Sequence, residues 1–262
     1  MNMNKHFHIL LLLLLSVALG ACRKEITLDL DNESNKVVIE ATITEGSGPH
    51  TVQLTRSIRF EDPNTFPAIS NATVTLSDDQ GNSEQLSETA QGIYNTATLM
   101  GEPGRIYHLT ATVEGNTYTA SCSMPVAVEL QAVLADSIAS FGTYMKIVVP
   151  VYADPAGSAN YYRYIVHVND EKLDGVYLEN DRFTNGNVVF QPLFLNDHEL
   201  KSGDMVQVTM ECIAPEVFQY FFSMGQNVSN AATPADPVSN IVGGALGYFS
   251  AHATSTRSVV VL

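Results

Sequence analysis

The chain has 262 residues, and its 28 acidic residues outnumber its 13 Lys and Arg residues, which gives a formal net charge of −15 at pH 7. Because so acidic a surface repels phosphate backbones, we expect no nucleic-acid partner. The length suits one large or two smaller domains, and a hydrophobic fraction of 45% indicates a globular rather than a disordered chain.

The first 21 residues have the three parts of a secretory signal. A basic head around Lys5 precedes an apolar run over residues 9–15, which is too short to span a membrane. The run ends in Leu19-Gly20-Ala21-Cys22, a lipobox whose cysteine receives a diacylglyceryl group and a third acyl chain, palmitate, on its amine. We therefore predict a signal peptide over 1–21, lipidation of Cys22 and a charged tether over 22–25. The alternative is a plain secretory signal cut after Ala21, which leaves a soluble protein.

Short strands with period-2 alternation follow the tether. Ile26, Leu28 and Leu30 begin the pattern. Five further segments share it: 37–44, 52–60, 72–76, 107–113 and 118–124. Turn clusters separate the segments, and Glu114-Gly115-Asn116 closes the best-defined hairpin. We therefore predict a β-sandwich domain over 26–125, because strands with one apolar face must be covered by a second sheet.

Residues 126–262 are predicted to form a second β-rich domain with one helix. Five segments alternate in the manner of strands: 145–151, 162–168, 188–195, 205–213 and 258–262. Pro215 suits the first position of a helix, and apolar residues at helical spacing follow it. The fold class is therefore mainly β, with a short helix near 215–227.

Two cysteines remain besides the anchor cysteine, Cys122 and Cys212. Both lie in strand-like alternation. In an oxidising compartment they could pair as a disulfide, and the alternative is two buried free thiols.

Catalytic and metal motifs are absent from the sequence. No serine stands in the G-x-S-x-G turn of a hydrolase, and the histidines are isolated singles rather than a zinc cluster. Four acids lie close enough in sequence to suggest calcium: Asp170, Asp174, Glu179 and Asp181. Their spacing differs from that of a known calcium loop, so we interpret them as solvated turn acids. We therefore predict no enzymatic activity, no cofactor and no metal.

The tyrosines Tyr161, Tyr162 and Tyr164 are a candidate face for stacking on a ligand. Strand alternation places Tyr162 and Tyr164 on one side and Tyr161 on the other. At least one of these two faces is therefore expected in the core.

Seven motifs along the chain together resemble one family. In chain order they are residues 26–30 directly after the anchor cysteine, 37–41, 71–76, 101–107, 160–163, 237–241 and the glycine-rich segment 243–249. Their order and spacing resemble the lipoproteins grouped as domain of unknown function 4249, over nearly the whole mature chain. The resemblance implies an outer-membrane lipoprotein of a Gram-negative bacterium, often encoded beside a TonB-dependent receptor, and it carries over no enzymatic residue. The first domain is also similar to Ig-like and carboxypeptidase-regulatory-like sandwiches.

Anchor, strand pattern and resemblance together predict a non-enzymatic binding or accessory subunit of the cell envelope. Its expected partners are the membrane, through the N-terminal lipid, and a TonB-dependent nutrient receptor. The alternative is a structural or adhesive surface module that binds proteins or glycans. Both alternatives leave the small-molecule ligand and the face of the outer membrane open.

Overall fold

The computed structural model describes residues 34–59, 62–140, 142–195, 198–230 and 236–262, and it is built almost entirely from β-strands. The strands are β1 (Val37–Thr44), β2 (Gly46–Ser47), β3 (Thr51–Arg56), β4 (Thr73–Asp78), β5 (Ser83–Gln85), β6 (Ser87–Ala90), β7 (Ile93–Asn95), β8 (Met100–Gly101), β9 (Ile106–Val113), β10 (Asn116–Ser123), β11 (Leu130–Ser140), β12 (Thr143–Ala153), β13 (Tyr161–Val168), β14 (Glu171–Lys172), β15 (Tyr177–Asn180), β16 (Val188–Phe190), β17 (Met205–Cys212), β18 (Ile241–Val242) and β19 (Leu246–Val260).

One α-helix, α1 (Pro215–Asn230), and a 3-10 turn, Asp181–Phe183, complete the described elements. The predicted class, mainly β with one short helix, is confirmed. The predicted strand over residues 26–30 lies outside the described residues. Within the described ranges, no helix combines the length and the apolarity that crossing a bilayer requires.

The first apolar core lies between two sheets. Strands β6, β7, β3, β1 and the first half of β19 form one side, in that order, and β18, β10, β9, β4 and β5 form the other. Because side chains alternate along a strand, Ile39 of β1 and Leu109 of β9 both point into the same buried cluster. Helix α1 adds Val217 and Phe221 to this core. The first core therefore contains residues from both sides of the boundary predicted near Pro125.

The hairpin β9–β10 forms as the sequence predicts. Val113 pairs directly with Asn116, so the loop has two residues, Glu114 and Gly115. Their φ values of +49° and +85° are left-handed, as a tight turn that matches the strand twist requires.

The second apolar core lies between the three-stranded sheet β11-β12-β16 and the strands β13, β17 and the second half of β19. Tyr152, Tyr164 and Val208 are among its buried side chains. Strand β13 carries β14 and β15 on its outer side.

Strand β19 belongs to both cores. Residues 246–252 pair in parallel with β1, and residues 253–260 pair antiparallel with β17. Gly247 has φ +96°, and a Cβ there would collide with the carbonyl group of Ile39. Phe249 is therefore buried in the first core, and Ala253 in the second.

Candidate functional site

The two cysteines among the described residues are free thiols, and Cys22 lies outside those residues. Each sulfur accepts a hydrogen bond from the backbone amide of a residue distant in sequence. The N–H of Ala251 donates to Cys122 Sγ at 3.2 Å, and the N–H of Val128 donates to Cys212 Sγ at 3.3 Å. Burial raises the pKa of Cys122 to about 12 and that of Cys212 to about 11, so neither is a reactive thiolate at neutral pH. Cys122 and Cys212 are therefore the two buried free thiols of the alternative, and they form no disulfide with each other.

The four acids considered for calcium lie in different environments. Asp170 and Asp174 are exposed, and Glu179 is half-buried, where burial raises the pKa of its carboxyl group. Asp181 is only 5% exposed, and its backbone N–H donates to the carbonyl oxygen of Asn160, the residue before β13. The interpretation as a solvated turn acid is therefore wrong for Asp181. Among the described residues, no group of three or more His, Cys, Asp or Glu side chains is arranged to hold a metal ion.

A buried polar network lies where β13, β17 and β19 run side by side. Arg163 Nη1 is 3.2 Å from Glu211 Oε2, and the other carboxylate oxygen, Oε1, is 3.7 Å from His252 Nε2. His252 Nδ1 is 2.9 Å from Ser250 Oγ. The guanidinium of Arg163 also lies 3.8 Å from the centre of the Phe221 ring. No sequence motif indicates this network, because its members come from three strands that are distant in sequence.

This network contains a serine, a histidine and a carboxylate, but its environment differs from that of a hydrolase site. Ser250 is only 2% exposed, so a substrate has no approach to its hydroxyl group. Burial lowers the pKa of His252, although Glu211 opposes the shift, so the imidazole is neutral at pH 7. Arg163 neutralises the carboxylate directly. The network therefore satisfies buried charges between strands rather than activating a nucleophile.

The tyrosines of β13 are packed on both faces of the strand. Tyr162 and Tyr164 lie in the second core, and the O–H of Tyr162 donates to Asp154 Oδ1 at 2.5 Å. Tyr161 lies on the opposite face, where its ring centre is 5.0 Å from that of Phe218. The predicted alternation is confirmed, and internal packing occupies all three rings.

The three-stranded sheet has an apolar face that points away from the second core. In β12 the even-numbered Val148 and Tyr152 lie in that core. Because strand side chains alternate, the odd-numbered Met145, Val149 and Val151 lie on the opposite face. The sequence predicted the strand from the odd-numbered Met145, Ile147, Val149 and Val151. The structure leaves Met145 exposed on this face, whereas Ile147 and Val151 are buried, at 4% and 8% exposure.

The neighbouring strands extend this apolar face. Leu134 of β11 pairs with Val149, and Phe190 of β16 pairs with Val151. Phe190 is 61% exposed. We call this surface the outer face, and it comprises Leu134, Met145, Val149, Val188, Phe190 and Phe194. An exposed apolar face of this kind is typical of a site that contacts another macromolecule.

A cleft of about 280 Å³ lies between segments from the two halves of the chain. Residues 123–126, 159–161 and 212–215 line it. Asn160 and Pro215, the first residue of α1, are both at its wall.

A family model described as a domain of unknown function, DUF4249, matches residues 23–258. The chain belongs to this family. No curated protein matches the chain. The predicted resemblance is thus confirmed, and the DUF4249 region includes the first apolar core, the second core except its C-terminal Val259 and Val261, and the outer face.

Proposed function

We propose that this DUF4249 protein is a lipid-anchored, non-enzymatic binding subunit of the outer membrane that docks on a TonB-dependent nutrient receptor. The exposed apolar outer face is the observation that supports docking. Protein interfaces are built around buried aromatic and aliphatic anchors, and Phe190, Val188 and Leu134 offer such anchors on a rigid sheet. The lipobox at Cys22 supports the anchor, and the family resemblance supports the receptor.

The location of these anchors favours a specific contact. Backbone pairing places Phe190 beside Val151 and Leu134 beside Val149, so the sheet sets the positions of these anchors before a partner arrives. A surface whose backbone is already ordered has less conformational entropy to lose on binding. Asp136 is the charged residue of β11 that shares this face.

We also propose that residues 26–125 form an Ig-like or carboxypeptidase-regulatory-like sandwich domain. The two sheets that share the first core and the tight β9–β10 hairpin support this assignment. Residues 126–262 then form the second β-rich domain, which contributes α1 and half of β19 to the first core.

Site-specific photo-crosslinking tests the docking proposal. A crosslinking residue at Phe190 of the intact lipoprotein, in its native membrane, should capture a TonB-dependent receptor. The same residue at Val242 is the matched control, because Val242 is 69% exposed and apolar but lies in the other sheet. Cys22→Ala should move the protein out of the membrane fraction and abolish the crosslink.

Two results would contradict the proposal. Equal capture of the receptor from positions 190 and 242 would remove the outer face from the interface. Capture of a surface protein or a glycan carrier at Phe190, without a receptor, would favour the adhesive alternative.

A further inference from the structure

Two loops of the second half are tied together by hydrogen bonds. The loop over residues 154–160 carries Asp154, whose Oδ2 accepts from the backbone N–H of Gly186 at 3.3 Å. The loop over residues 180–187 makes a second hydrogen bond to the first loop, in which the N–H of Asp181 donates to the carbonyl oxygen of Asn160 at 3.1 Å. Both oxygens of Asp154 are satisfied, since its Oδ1 accepts from Tyr162.

Three side-chain oxygens in these loops are buried and have no hydrogen-bond partner: Asp181 Oδ2, Asn160 Oδ1 and Thr184 Oγ1. Backbone bonds bring their residues together. The backbone N–H of Asp181 is hydrogen-bonded to the carbonyl oxygen of Asn160, and the N–H of Thr184 donates to the carbonyl oxygen of Asp181 at 2.9 Å. A buried carboxylate oxygen without a donor is costly in free energy, and such groups are rare in folded proteins.

We propose that these three oxygens bind a calcium ion. Calcium accepts six to eight oxygen ligands in irregular geometry, so a carboxylate, an amide oxygen and a hydroxyl oxygen can be completed by water. Magnesium is a poorer fit, because it requires near-octahedral geometry and dehydrates reluctantly. Of the four acids that the sequence suggested for calcium, the site uses Asp181 alone.

The affinity of the site follows from its ligands. A single carboxylate provides little charge, so we expect a dissociation constant on the order of 10⁻⁴–10⁻³ M, as in extracellular calcium modules. Of the three residues, Asn160 also lines the cleft of about 280 Å³. The inference does not depend on docking through the outer face.

Terbium luminescence tests the site in the intact protein in detergent. The chain has no Trp, so tyrosine must sensitise the ion, and Tyr161 directly follows Asn160. We expect a saturable signal that calcium displaces. Asp181→Asn should weaken terbium binding about tenfold or more, because it removes the one formal charge of the ligand set. Asp174→Asn is the matched control, since it removes the same charge from an exposed position.

Thermal unfolding provides the second readout. Calcium at about ten times its dissociation constant should raise the Tm of the native protein by about 3–5 °C. Asn160→Asp adds a second carboxylate, so it should tighten calcium binding and enlarge this shift.

Three outcomes overturn the proposal. Equal terbium signals from Asp181→Asn and Asp174→Asn would place the ion elsewhere. A native Tm that calcium leaves unchanged would mean that the loops hold water only. A destabilised Asn160→Asp protein that calcium fails to rescue would show two repelling carboxylates with no ion between them.

Discussion

The turn between β4 and β5 is held by one buried carboxylate, and Asp78→Asn should lower the free energy of unfolding by about 2 kcal/mol at neutral pH. The Asp78 side chain is fully buried. It accepts from the backbone N–H groups of Gln80 at 3.0 Å and Asn82 at 2.9 Å. It also accepts from Asn82 Nδ2 at 2.7 Å and Arg105 Nη1 at 2.5 Å. Asn at this position keeps the shape and loses the charge.

The magnitude follows from the pKa of Asp78. Burial alone would raise this pKa, but the hydrogen bonds from Asn82, Arg105 and Gln80 outweigh burial and lower it from 3.8 to about 2. Each pKa unit corresponds to about 1.4 kcal/mol, and solvent screens the 23% exposed Arg105, so about 2 kcal/mol remains. Because the pKa is lower in the folded state, this stability is complete above the unfolded-state pKa of 3.8 and is lost as the pH falls to about 2.

Urea unfolding of the two proteins at a series of pH values measures the effect. The difference in free energy of unfolding should be about 2 kcal/mol at pH 7 and should vanish near pH 2. Asp79→Asn is the control, because Asp79 is adjacent and exposed. A difference that is independent of pH, or an equal loss in Asp79→Asn, would refute the assignment of this stability to the Asp78 charge.

Two further substitutions test the packing around β19. Gly247 has φ +96°, and the Cβ of Gly247→Ala would collide with the carbonyl group of Ile39, so this variant should be destabilised by about 3 kcal/mol or more. Gly244 has a similar φ of +86° but open space around it, so Gly244→Ala should cost only about 1 kcal/mol in the same urea experiment. Equal losses would mean that the close approach of β1 is unimportant. Arg163→Met should lower the free energy of unfolding by about 3–5 kcal/mol, because it leaves the buried Glu211 without its ion-pair partner. Adding Glu211→Met should recover part of that loss. A double variant that is less stable than Arg163→Met would contradict this account.

The sequence predicted the local parts of the fold because their signals are local. Strand β1 and the β9–β10 hairpin follow from strict alternation and from a two-residue turn at Glu114 and Gly115. The full length of β19 escaped prediction, because its pairing with β1 joins distant segments and its start depends on Gly247. The outer face escaped prediction for another reason: β12 is apolar at both even and odd positions, so periodicity does not tell which side is buried.

The candidate cation site was predictable only in part. The acidic residues of the loops around Asp181 are visible in the sequence, and they suggested calcium ligands among Asp170, Asp174, Glu179 and Asp181. Asn160 and Thr184 carry no signal, because an amide or a hydroxyl group becomes a candidate ligand only when folding buries it without a partner.

The shared strand β19 has a consequence for how the chain reaches its native state. Thr44 Oγ1 of β1 and His252 Nε2 of β19 lie 3.4 Å apart, although the two residues are separated by 208 positions in sequence. Pairings of such separation form slowly, and until β19 is synthesised the edge of β1 is open to neighbouring chains. Since both cores need this one strand, neither can be completed early, and both should melt in a single cooperative transition.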